Sequence, residues 1–119
     1  MDQDINFQHT TAFAAGATTT YFIVPYRSTV RAISAIVQAD PGDAETITVT
    51  NEATVGGTSV DIGVATFGST IDAGATATWV ADSTTGDTVI AEGSLLKFVT
   101  SAASAANCDI NIELDPYAR

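Results

Sequence analysis

The sequence predicts an all-β fold: one domain in which two sheets pack face to face as a sandwich. Three observations predict it. Thr, Val and Ile are abundant while Lys, Glu, Gln and Leu are scarce, which suits pleated strands better than helices. Apolar and polar residues alternate with period two in several segments, the pattern of a sheet with one wet face. Glycine and proline fall between those segments, where turns are needed.

The elements follow in chain order. "DINFQHT" alternates Ile5, Phe7 and His9 with polar neighbours and reads as an edge strand or a free arm. "TYFIVP" is continuously apolar, so both of its faces are expected to be covered. Pro25 cannot donate to a ladder and ends that strand or marks an edge. "PYRST" is then the turn into "TVRAISAIVQ", apolar on both faces apart from Arg31. "ADPGDAE" is a turn around Pro41 and Gly42. "ETITVTN" sets Ile47 and Val49 against Thr46, Thr48 and Thr50, and "EATVGGTS" supplies a hairpin at Gly56 and Gly57. "SVDIGVA" sets Val60, Ile62 and Val64 against Asp61, Gly63 and Ala65. "ATATWV" and "LLKFVT" are two further strands. "TSAASAAN" reads as a loop or a single helical turn. "CDINIEL" closes the chain with Cys108, Ile110, Ile112 and Leu114 on one face, and belongs inside a sheet. About eight strands in 119 residues point to an eight-stranded jelly roll as the form of the sandwich. Residues 1–15 form an N-terminal arm or edge strand, and residues 16–119 the jelly-roll domain.

Composition and charge exclude several function classes. The hydrophobic fraction is 45% and the charged fraction 15%, the reverse of a disordered chain. Four basic residues face 14 acidic ones, a net charge of −10. Residues 1–60 hold 2 basic and 6 acidic residues and residues 61–119 hold 2 and 8, so the acidity is spread along the chain. Such a surface repels phosphate backbones and anionic lipid, so neither nucleic acid nor a membrane is an expected partner. The single cysteine permits no internal disulfide, which points to assembly in a reducing compartment. The N-terminus "MDQDINFQHT" has no apolar signal-peptide core. No apolar run approaches the length of a membrane helix. The expectation is a soluble protein made in a cytoplasm.

No pattern carries catalysis. His9 is the only histidine, and triads and most zinc sites need an imidazole. It reads as a solvated or interface side chain. Cys108 reads as a buried, inert thiol, without a base or helix N-terminus nearby to activate it. Asp40, Asp43 and Glu45 cluster in one turn, but their spacing is not that of a calcium loop. No phosphate-binding loop and no GxSxG elbow occur. Trp79 follows Ala75 and Ala77 on one face, where small residues leave room for a core ring. Neither a catalytic residue, a cofactor nor a metal site is expected, and the chain reads as no enzyme. Two of its four cations, Arg27 and Arg31, sit in the most apolar stretch, "YFIVPYRSTVRAISAIV". Each pairs either with a carboxylate of its own chain or with one across an interface, where Arg is enriched.

At these residues the sequence resembles a family. "IVPYRSTVRAISAIV", then "ETITVTNEATVGGTSVDI", then "STTGDTVIAEGSLLKFVT", and the ending "CDINIEL" resemble, in this order, the small jelly-roll capsid decoration proteins of tailed bacteriophages, also called cement or head-fibre proteins. The resemblance spans roughly residues 20–114. It implies a homotrimer on the outer surface of the virion capsid, bound to the major capsid protein and assembled in the host bacterial cytoplasm. It brings no catalytic residues. The N-terminal segment lies outside the matched part, and its Ile5, Phe7 and Phe13 are candidates for contact with the shell or a neighbour. Tyr26, Arg27 and Arg31 join them as candidate interface residues. The rival reading is a carbohydrate- or receptor-binding β-sandwich module of a phage tail or fibre, with Tyr21, Tyr26 and Trp79 as its rings. A cupin-like metalloenzyme needs a histidine-rich site that one histidine does not supply.

Overall fold

The computed structural model describes residues 5–13, 18–37, 46–67, 74–100 and 106–116. The all-β, two-layer expectation holds. The strands are β1 (Ile5–Phe13), β2 (Thr18–Ile23), β3 (Ser28–Val37), β4 (Thr46–Glu52), β5 (Ser59–Thr66), β6 (Thr78–Ala81), β7 (Leu95–Thr100) and β8 (Ala106–Pro116). They form a three-stranded sheet in the order β1-β8-β3 and a five-stranded sheet in the order β2-β7-β4-β5-β6. Every pairing is antiparallel. The acidic turn with Asp40, Asp43 and Glu45, and the segment 101–105, lie outside the described residues.

One core lies between the layers. β8 supplies Cys108, Ile110, Ile112 and Leu114, each with 0% exposure. Across from them stand Ile47 and Val49 of β4, and Leu96 and Phe98 of β7, also at 0%. Burying one such side chain contributes about 1.5–3 kcal/mol. Val24 and Ile90, from the connections outside the strands, seal the same core. The alternation in "ETITVTN" and "CDINIEL" therefore reads out directly as inside and outside.

Two strands depart from simple alternation, each at a bulge. In β3, Val30 stands opposite Leu114 and Ala32 opposite Glu113, which leaves Arg31 as the extra residue. A bulge shifts the pleat by one residue. Ser28 and Val30 point inward before it, and Ile33, Ala35 and Val37 after it. The strand expected to be covered on both faces thus has one inner face, and Ile36 stays 47% exposed. In β5, Gly63 opposes Val49 and Asp61 opposes Thr50, so Ile62 is the extra residue. Val64 therefore does not follow Ile62 inward. Gly63, Ala65 and Phe67 do, and Val64 turns to the outer face. The expectation for β2 also fails on one side: Ile23 is 67% exposed, because β2 is an edge strand and nothing described covers its outer face.

The hairpin between β4 and β5 turns at residues 53–58, with Gly56 at φ +79°, a region L-residues rarely adopt. Gly63 has a different reason. The Trp79 ring of β6 lies against its α-carbon, and an added Cβ would fall 2.5 Å from Trp79 Cη2 and 2.6 Å from the Val80 carbonyl oxygen. The carbonyl cannot move without breaking the β5–β6 ladder. Gly63→Ala is expected to destabilise the fold by about 1–3 kcal/mol, as overpacking does. Urea unfolding of the two proteins checks this, and an unchanged midpoint would show that Trp79 moves aside.

Candidate functional site

The outer face of the five-stranded sheet is the most distinctive surface among the described residues. Its register lines up side chains in rows across the strands. One row runs Thr19, Val99, Thr48, Val64, Val80. The row beside it runs Thr46, Thr66, Thr78. Neither contains a charge. The next row holds Tyr21, Lys97, Thr50 and Asp61, and the one after it Ile23, Leu95, Glu52 and Ser59. Lys97 and Glu52 largely cancel, since Nζ lies 3.4 Å from Oε2. Glu52 is 3% exposed, and its other oxygen accepts a hydrogen bond from the Gly56 N–H at 3.2 Å. The hairpin thus folds over a paired carboxylate, which the buried charge requires.

An open hollow of about 280 Å³ lies on this face, and Thr48, Val64, Val80, Asp61 and Asp82 are among the residues that line it. Asp82 is an organiser of the loop after β6. Its Oδ1 accepts hydrogen bonds from the N–H groups of Thr84 and Thr85 at 2.8 and 2.9 Å. The Thr85 hydroxyl in turn donates to the Asp61 carbonyl, tying the loop to β5. The Thr85 backbone bond, followed by those of Thr84 and the Thr85 side chain, holds the Asp82 carboxyl below its ordinary pKa. The outer face of the three-stranded sheet is different. There the half-buried Asp109 and Glu113 alternate with the buried residues of β8, the exposed Arg31 stands at the β3 bulge beside Glu113, and Asp115 keeps its Oδ1 buried.

The residues singled out in the sequence fall in separate places. Phe7 and Tyr26 come together: Phe7 stacks at a tilt on Phe22 at 5.3 Å and on Tyr26 at 6.2 Å. All three rings pack against the core. Burial pushes the Tyr26 hydroxyl's pKa up. Ile5 and Phe13 stand at opposite ends of β1, in register with Leu114 and Ala106. Arg27 is exposed in the bend before β3, and Arg31 is exposed at the bulge. Each has an interaction partner within the chain. His9 stands opposite Ile110. Tyr21 lies in an outer row of the five-stranded sheet, whereas Trp79 points inward over Gly63. Tyr21, Tyr26 and Trp79 therefore share no groove. The Thr and Val rows were hidden in the sequence because the bulge at Ile62 reverses the phase that "SVDIGVA" advertises.

Among the described residues, no three of His, Cys, Asp and Glu gather as a metal-binding group. Comparison with known proteins adds little. No family model and no curated protein matches the chain. A solved structure titled "Crystal structure of PirA" superposes with a TM-score of 0.49 at 15% identity, over 88% of this chain and 92% of that one.

Two outcomes follow for single groups. Cys108 is fully buried, and desolvation, with the Asp109 carboxylate adding to it, pushes its thiol up to about 12. The folded protein is expected not to react with an aromatic disulfide reagent at pH 8, and to react fully in denaturant. Rapid reaction of the native protein would overturn this. Asp82→Asn keeps the acceptor and removes the charge. Because the folded carboxyl has a lowered pKa, its stabilisation is present above the unfolded pKa and lost as pH falls through the folded one. The variant's thermal midpoint should lie below the wild type's at pH 7 and converge with it in acid. A constant gap across pH would refute this.

Proposed function

We propose that this chain is a non-enzymatic structural protein of a tailed-phage virion, a decoration protein that binds the outer head surface as a homotrimer and stiffens it. The motif order along the chain is one support. The observation that carries the reading is the contrast between the two outer faces of the sandwich. In a chain of net charge −10, the five-stranded sheet presents two uncharged rows of Thr and Val, one of them crossing all five strands, with Asp61 and Asp82 beside them, while the β8 face mixes Asp109 and Glu113 with the exposed Arg31 of β3. Such uncharged, β-branched rows suit contact with protein, where charges are depleted at the interface core.

We also infer that the sandwich is wound as a jelly roll. The connectivity supports it. The chain passes from layer to layer as β1, β2, β3 and β4, and it returns to the side of β3 at residues 75–77 before β6 joins β5. The last strand lies beside the first.

In mechanism, the rigid sandwich presents the Thr and Val rows to the major capsid protein. Several copies held together engage the shell at once, so weak individual contacts sum to firm attachment. The carbohydrate- or receptor-binding alternative needs aromatic rings gathered on one surface, and Tyr21, Tyr26 and Trp79 are dispersed. The test is sedimentation of the purified protein with undecorated heads of the phage that encodes it. Wild type should co-sediment, and Val80→Glu, at a position 62% exposed, should lower the affinity by at least about tenfold, the effect of a charge placed in an interface core. Val55→Glu, on the exposed hairpin tip, is the control. Failure of wild type to bind, or equal binding of Val80→Glu, refutes the proposal. Truncation through residue 12 is a poorer test, since it removes most of β1 from its ladder with β8.

A further inference from the structure

The sandwich is closed on one side and open on the other. On the closed side the free edge of β3 is covered at both ends. Val37 N–H donates to the Ala75 carbonyl and Ala77 N–H to the Ala35 carbonyl, at 3.1 and 3.0 Å. Ser28 and Ile90 exchange both of their backbone bonds, at 3.1 and 2.7 Å. On the open side β1 ends the three-stranded sheet and β2 ends the five-stranded one. The two edges lie side by side, as the Phe7–Phe22 contact shows. Among the described residues, neither edge has a further ladder partner.

An open edge is a template for pairing with another chain, and natural proteins blunt it with charge, proline or bulges. Here none of these is present. Residues 5–26 contain no Asp, Glu, Lys or Arg and form the longest charge-free run of the chain. That run makes both open edges, and its one proline, Pro25, lies past the end of β2. Neither β1 nor β2 has a register shift in its ladder. The longest charge-free run of the sequence thus falls where the fold, among the described residues, leaves strand edges without a ladder partner.

We propose that the β1/β2 side is the surface on which this chain pairs with further copies of itself, edge strand against edge strand. Charge selects the occupant. Copies of net charge −10 repel one another, and the repulsion is least along a side whose strands carry no charged residue. A cationic partner would be drawn to the carboxylates instead. The nine residues of β1 span about 30 Å at ~3.3 Å each, and two layers ~10 Å apart with their flanking side chains are about 20 Å deep. In a ring of three, the resulting patch of about 600 Å² per copy is shared between two neighbours, about 600 Å² in total at each contact and about 1,800 Å² over the ring, so attachment depends on all three contacts closing together. Around a three-fold axis, β1 of one copy faces β2 of the next, a heterologous contact that closes after three steps. This arrangement fits the homotrimer proposed above and does not depend on the head-surface reading.

The test is the solution mass by light scattering over a concentration series. Wild type is expected at a multiple of the 12.2 kDa chain. Ile23→Glu and Thr19→Glu add charge at exposed positions of β2 and should each return the mass to a single chain while unfolding stays cooperative. Val55→Glu should leave the mass unchanged. A wild type that is monomeric throughout overturns the proposal, as does a wild-type mass in both β2 variants. Loss of head binding by a protein that still forms the multimer would count against the head-surface reading alone.

Discussion

Strand β8 is the constraint on which the rest of the structure depends. It is the central strand of its sheet, paired with β1 on one side and β3 on the other. Its inward side chains, Cys108, Ile110, Ile112 and Leu114, are all fully buried. A slip of β8 by one residue would carry all four out of the core and turn Asp109 and Glu113 into it, an exchange no carboxylate tolerates without a partner. The register of β8 therefore sets that of β1 and β3. Through the shared core it also sets the side on which Leu96, Phe98, Ile47 and Val49 of the opposite layer must lie.

The two bulges adjust this frame. Arg31 and Ile62 are the extra residues in β3 and β5, and each reverses the inward phase of its strand. At β3 the change lets Ile33, Ala35 and Val37 continue the core begun by Ser28 and Val30. At β5 it brings Ala65 and Phe67 inward and leaves Val64 outside, between Thr48 and Val80. The uncharged row is thus a consequence of core packing one layer below. Gly63, beside the second bulge, has no Cβ because the Trp79 ring takes that space.

The distribution of charge follows from the same geometry. Carboxylates that alternate with the β8 core residues can only point away from it, so Asp109 and Glu113 come to lie on the outer face beside Arg31 of β3. Glu52, nearly buried on the other face, is held by Lys97 and the Gly56 N–H. That leaves the Thr and Val rows neutral. Asp61 and Asp82 line the hollow beside those rows, and Asp82 accepts hydrogen bonds from the N–H groups of its own loop. The functional reading rests on this division between a face of mixed charge, uncharged rows of Thr and Val, and an open side without charged residues.

By itself the sequence determined the class of the fold and the inward residues of its regular strands. Strand composition, the alternation in "ETITVTN" and "CDINIEL", and the turn at Gly56 are local properties. A pleat needs only adjacent residues to alternate, so they can be read without knowing any partner. The tertiary structure alone decided where the alternation slips, which strand is an edge, and which rows face outward together. Arg31 looks like an isolated charge in an apolar strand until its ladder with β8 shows that it has no opposite residue. Ile23 looks like core until β2 proves to have, among the described residues, a neighbour on one side only and an uncovered outer face. Val64 and Val80 share a surface with Thr48 because three strands pair in one register. Such features arise from contacts between segments as distant as Ile5 and Leu114, and a pairing of that range leaves no trace in local spacing.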